Sequence, residues 1–146
     1  MPSLFDNDFH AWASQQAGLL RGGRLADADI PHIIEEIESM GRSEQRELVN
    51  RLVVLLLHLL KWRFQPGLRG NSWRLSIKEQ RIRLEAHLED NPSLTAKLDQ
   101  AIARAYRLAM IDAERETGLA ESTFPTSCPF TFTQIMDDAF WPEEPA

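Results

Sequence analysis

The stretch Leu48-Val49-Asn50-Arg51-Leu52-Val53-Val54-Leu55-Leu56-Leu57-His58-Leu59-Leu60-Lys61-Trp62 decides the fold. Almost every position is apolar, and the apolar side chains show no two-residue alternation. At about 100° per residue they point all round a helix, which makes this segment the buried centre of a helical bundle rather than a surface helix. The run is interrupted by His58 and falls far short of the ~20 apolar residues needed to cross a bilayer. Everything else in the chain has to cover it.

The covering elements are legible on either side. Phe5, Phe9, Trp12, Ala13 and Leu20 recur at threes and fours, and Gly22-Gly23 ends that first helix. Asp29 caps a second helix with Pro31 in its first turn and Ile30, Ile33, Ile34, Ile37 and Met40 as its apolar stripe. Gly41, followed by Ser43-Glu44, reads either as a break or as a tolerated glycine. Beyond the central run, Gln65-Pro66-Gly67 ends the element, and Ser72 is the expected cap of a helix carrying Trp73, Ile77, Leu84 and Leu88. Asn91-Pro92-Ser93 reads as a turn and a new cap. The helix after it has an alanine-rich face and stops at Gly118, a suitable C′ glycine. Thr131 to Gln134 fits a capping box. The reading is all-α: one domain over residues 1–146, a single helical bundle of four to five main helices with a Pro- and aromatic-rich C-terminal strap carrying one short helix.

Composition narrows the function classes. The 146 residues are 43% hydrophobic and 26% charged, ordinary globular usage, and the net charge of −6 argues against a general nucleic-acid binder. Cys128 is the one cysteine, so neither a disulfide framework nor a Cys-rich zinc site is available. The first residues lack the basic and apolar regions of a secretory signal, and a cytoplasmic location is expected, with no membrane partner.

Several blocks occur together in order: Asp8-Phe9-His10-Ala11-Trp12, the run Glu35 to Arg42, His58 to Trp62 with Gln65-Pro66, Ser72-Trp73 leading to Gln80-Arg81, and Phe124 to Pro129. In these the chain resembles the DUF29 family over about residues 5–142. That family consists of small bacterial proteins, abundant in cyanobacteria, with no assigned function. The resemblance implies a helical domain standing alone in a short chain, and it supplies no catalytic residues.

Two constellations carry possible chemistry. Helical spacing places Glu44, Arg51 and His58 on the face of Leu48 and Leu55, Arg81 between Ile77 and Leu84, and Asp112 and Glu116 on the stripe of Ala105 and Ala109. Glu36 joins this layer if the second helix runs through Gly41. Unpaired buried charge is costly, so an internal salt-bridge layer is expected, with Arg81 buried against Glu36, Glu44, Asp112 or Glu116. His58 is expected inside the bundle as a neutral histidine with a hydrogen-bond partner. No cofactor or metal is expected: His10, His32, His58 and His87 show no ligand spacing, and His32-x-x-Glu35 reverses the di-iron order. No nucleophile elbow, phosphate loop or dinucleotide fingerprint occurs.

The second constellation is a basic strip. From Lys61 to Arg83 seven bases face one acid, Glu79, for a segment charge of +6. Lys61, Trp62, Arg63, Arg69, Trp73, Arg74 and Lys78 pair cations with aromatic rings in the manner of phosphate contact plus base stacking. The competing use is neutralisation of the acids at the end of the last long helix. Arg63, Arg69 and Arg74 are expected to face solvent. Three functions follow in order: a protein-interaction or regulatory module whose partner is another protein or a second copy, a nucleic-acid-contacting protein using residues 61–83, and an enzyme using the polar layer.

Overall fold

Side-chain caps set the first boundaries. In the computed structural model, which describes residues 3–143, Ser3 accepts from the Asp6 amide to open α1 (Leu4–Asn7), and Asp8 accepts from the Ala11 amide to open α2 (Phe9–Arg21). Gly22 and Gly23 end α2, Gly23 taking a positive φ of 70° that a Cβ would disfavour. Asp29 then leads into α3 (Ile30–Phe64), α4 is Asn71–Asp90, α5 is Leu98–Thr117 and α6 is Phe132–Met136. No strand occurs among the described residues. The all-helical reading holds, with four long helices and two short ones.

Gly41 does not break α3. A Cβ at this position would meet nothing within 4 Å, and the 35-residue helix runs through it without interruption. One exposed glycine costs a helix about 1 kcal/mol, too little to stop a segment held by the apolar turns that follow. The chain divides into two compact units, Met1–Ser43 and Glu44–Ala146.

The first unit is held by one polar knot. Trp12, 5% exposed, donates its indole N–H to Asp29 Oδ2 at 3.1 Å, and Gln16 Oε1 accepts from the Asp29 amide at 2.6 Å. The Phe5 ring stacks on His32 at 4.0 Å.

The second unit holds the hydrophobic core. Leu48, Leu52, Leu55, Leu56, Leu59 and Leu60 are essentially fully buried, as an all-round apolar helix requires. Against them lie Ile77 and Leu84 of α4 and, on α5, Ala101, Ala105, Ala109 and Ala113. The four-residue spacing of these alanines makes a low ridge that lets α5 come close. Gly118, φ 76°, ends α5 as expected, and Thr131 and Gln134 form the expected capping box.

Two helix starts differ from the sequence reading. Helix α4 opens at Asn71 with Gly70 as its N-cap, so Ser72 is not the cap. Arg69, donating to the Trp62 and Pro142 carbonyls, fixes the chain just ahead of Gly70 and sets an earlier start. Nor does Ser93 cap α5: Pro92–Lys97 is a 3-10 helix that buries Leu94, and the α-helix begins at Leu98.

Candidate functional site

The expected polar layer does not assemble: among the described residues no two of its members pair with each other, and each finds another partner or none. Arg81 is 2% exposed, as its register requires, but among the described residues it pairs with no carboxylate. Its Nε donates to the Ile135 carbonyl at 2.8 Å and its Nη2 to the Phe140 and Gln134 carbonyls at 2.9 and 3.3 Å. The end of α6 and the turn after it expose carbonyls with no helical partner, and the guanidinium fork satisfies them from outside. Burial pushes this guanidinium below its ordinary pKa, with Asp138 and Asp137 opposing. The expected ion pairs of Arg81 with Glu36, Glu44, Asp112 or Glu116 are therefore replaced by backbone contacts that hold the strap.

The other layer members separate. Glu116 pairs with Lys61 at 2.7 Å, Asp112 with Arg115 at 2.9 Å on its own helix, and Arg51 with Glu47 one turn back at 2.7 Å. Glu36 is half-buried in the first unit. His58 donates Nδ1–H to the Val54 carbonyl at 2.7 Å, and burial lowers its pKa, so it sits neutral, half-buried rather than inside the core. Cys128 donates weakly to the Phe130 carbonyl, and burial raises its pKa, which suppresses the nucleophilic thiolate.

The basic strip is largely consumed by the fold. Lys61, counted in that strip, is buried at 8% exposure, sealed by Glu116 and lying 5.4 Å from the Trp73 ring centre. Arg69 does not face solvent: it staples the loop to the strap and lies 5.2 Å from the Trp62 ring centre. Arg63 is half-buried beside the Phe64 ring. Trp62 packs on Trp141 at 4.6 Å. Arg74 and Lys78 remain exposed, and with Arg81, Asp138 and Trp141 they line a cleft of about 350 Å³. The cleft thus carries three cations and one carboxylate, with Arg81 already committed to the strap's carbonyls.

One cluster was missed by the sequence reading. His87 of α4 is 6% exposed, and its Nε2 lies 2.9 Å from the Glu44 carbonyl. A carbonyl only accepts, so Nε2 carries a proton and donates. Its Nδ1 then faces Glu44 Oε2 at 3.7 Å and Glu47 Oε2 at 3.6 Å, beyond hydrogen-bond distance from either. Arg51 occupies the other Glu47 oxygen at 2.7 and 3.0 Å and holds that carboxyl below the usual carboxylate range. Asn91 reaches Glu44 Oε2 at 3.4 Å. The signal was present in sequence: Glu44 and Glu47 share a face at i and i+3, and His87 stands three residues after Leu84 on the buried face of α4.

The first unit carries a different feature. The stripe Ile30, Ile34, Ile37 and Met40 is 38 to 60% exposed. His32, which meets Phe5 and Asp29, lies about 200° around α3 from Ile30, so α1 and α2 dock on the side opposite the stripe. The same unit also exposes Leu4, Phe9, Leu20 and Leu25.

Fold and site together define an all-helical protein with no assembled catalytic triad or phosphate loop among the described residues. The family described as "Domain of unknown function DUF29" matches residues 4–141, and the chain belongs to it. No curated protein and no solved structure matches the chain.

Proposed function

We propose that this protein is a self-associating helical module, with the N-terminal hairpin of one copy pairing with that of a second. The carrying observation is the uncovered stripe Ile30, Ile34, Ile37 and Met40, set opposite the face where α1 and α2 dock. Contiguous exposed apolar side chains at helical spacing mark an interaction surface. Charge selects the occupant and its direction. Glu35, Glu36 and Glu38 precede Met40, and Arg42 and Arg46 follow it. An antiparallel pair centred near Met40 sets Glu38 of each copy, which lies 3.8 Å from Arg42 of its own helix, against Arg42 of the other. Covering a half-exposed Ile or Met contributes about 1 kcal/mol, so Ile34, Ile37 and Met40 of both copies give at most ~6 kcal/mol before an association cost of about 4 kcal/mol or more, Ile30 falling opposite Asn50 of the other copy. The pair is therefore weak and concentration-dependent.

Sedimentation equilibrium over a wide concentration range tests it. Wild type moves from monomer to dimer, and Ile34→Lys/Ile37→Lys stays monomeric with unchanged helical circular dichroism. Glu38→Arg weakens the dimer and Glu38→Arg/Arg42→Glu restores it. A wild type monomeric at every concentration, or a double-lysine variant that dimerises equally well, overturns the reading.

A second reading rests on the cleft lined by Arg74, Lys78, Arg81, Asp138 and Trp141, whose two exposed cations suit a backbone phosphate. Its test is retention on single-stranded nucleic acid at low salt, lost in Arg74→Glu/Lys78→Glu. Absence of retention by wild type removes it.

A further inference from the structure

We propose that Glu44, Glu47 and His87 form a binding site for one first-row divalent cation, with zinc as the best match. The argument starts from His87. This ring is more than nine-tenths buried, its Nε2–H is committed to the Glu44 carbonyl, and its Nδ1 has no hydrogen-bond partner. Nδ1 lies 3.7 Å from a carboxylate oxygen of Glu44 and 3.6 Å from one of Glu47. One ligand atom from each of the three residues lies within 4.8 Å of the others. A tetrahedral zinc with bonds of about 2.0–2.1 Å sets its ligand atoms roughly 3.4 Å apart. The observed separations need only tenths of an ångström of closure for the histidine pairs.

Each ligand also has an outer partner that orients it. His87 is fixed by a backbone carbonyl, Glu47 by the two hydrogen bonds of Arg51, and Glu44 by Asn91. Ligating histidines characteristically donate their second nitrogen to a carbonyl or carboxylate, which fixes the tautomer and raises ligand basicity. The donor set chooses the ion. Imidazole with two carboxylates suits zinc and its first-row neighbours, whereas Mg²⁺ and Ca²⁺ favour oxygen alone. Three protein ligands leave one position for water or an incoming ligand. Because Glu44 and Glu47 sit on α3 and His87 on α4, a bound ion cross-links those two helices.

The test uses the full chain freed of metal by chelator, titrated with ZnCl₂ and followed by calorimetry and by thermal unfolding. Wild type binds one zinc per chain, and its unfolding midpoint rises with zinc and returns on adding chelator. Glu44→Gln and Glu47→Gln keep the side-chain shape and leave His87 in place. Each weakens zinc binding at least tenfold while keeping the wild-type circular dichroism. MgCl₂ at the same concentrations gives no comparable shift. Failure of wild type to bind zinc overturns the proposal. Zinc binding that both glutamine variants retain unchanged overturns it equally, because the ion then sits elsewhere. Neither result bears on the oligomeric state, which the proposed dimer decides separately.

Discussion

Replacing Arg81 with methionine tests what holds the C-terminal strap. Methionine keeps most of the apolar stem and adapts to the space, so the change removes chiefly the guanidinium. Three hydrogen bonds go with it, to the carbonyls of Ile135, Gln134 and Phe140, and so does a contact 5.6 Å from the centre of the Trp141 ring. A hydrogen bond to a charged group contributes about 1.5–3 kcal/mol, and a buried carbonyl left unmet costs about 1–3 kcal/mol. The bond to Ile135 is buried, while the other two are only partly so and water can replace them. Relief of cation burial returns part of the loss, since burial already depresses this guanidinium's pKa. The expected net loss is about 2–4 kcal/mol. At roughly 3–4 °C per kcal/mol for a chain of this size, the thermal midpoint falls by about 10 °C. Differential scanning calorimetry measures it, and tryptophan emission follows Trp141 against Trp62. Arg81→Lys loses nearly as much, because one ammonium cannot reproduce the planar fork. Glu44 is not among the partners of Arg81, so Glu44→Gln adds to Arg81→Met without rescue. A loss below about 0.5 kcal/mol, or recovery in the double variant, refutes the reasoning.

The Lys61–Glu116 pair is asymmetric, with the lysine side chain 9% and the glutamate 44% exposed. Glu116→Ala strands a nearly buried ammonium and costs about 2 kcal/mol, whereas Lys61→Met costs less than about 1 kcal/mol because the freed glutamate relaxes into water. Urea denaturation ranks the two, and the reverse order refutes this assignment of burial. In the first unit, the Asp29 hydrogen bond raises the His32 pKa, while the same bond to His32 lowers that of Asp29. A raised histidine contributes stability in full below its ordinary value of about 6.5, lost as pH rises through the raised one. A depressed aspartate contributes in full above its ordinary value of about 3.9, lost as pH falls through the lowered one. The hairpin is thus tightest between those limits. In nuclear magnetic resonance titrations His32 titrates above the ordinary value and the Trp12 indole resonance moves with it. Asp29→Asn brings His32 back down, and an unmoved His32 in that variant refutes the coupling.

Residues whose state depends on near neighbours were readable in advance. The all-round apolar run Leu48–Trp62 could only be a covered helix, Gly118 could take the left-handed φ that ends α5, and Thr131 and Gln134 sit at the spacing that a capping box needs. Burial of Arg81 also followed from its register between Ile77 and Leu84. Its partners did not. They lie 53 to 59 residues away, on a strap whose free carbonyls exist only once α6 has ended and turned. Lys61 was misplaced for the same reason: an ammonium beside solvent and one sealed by Glu116, 55 residues on, look alike in sequence.

The stripe Ile30–Met40 shows the complementary limit. Periodicity marks which side chains share a face, but the choice of face to cover belongs to the elements that dock, and here Phe5 and Trp12 dock around Asp29 and His32 instead. The sequence by itself determined the helices, their apolar faces and most of their ends, because these follow from backbone periodicity and caps within a few residues. Tertiary structure alone decided which charges meet. Helix pairing sets Arg81 under the strap's carbonyls, Lys61 against Glu116 and the Nδ1 of His87 between Glu44 and Glu47, and those separations depend on angles and offsets between helices that no local spacing encodes.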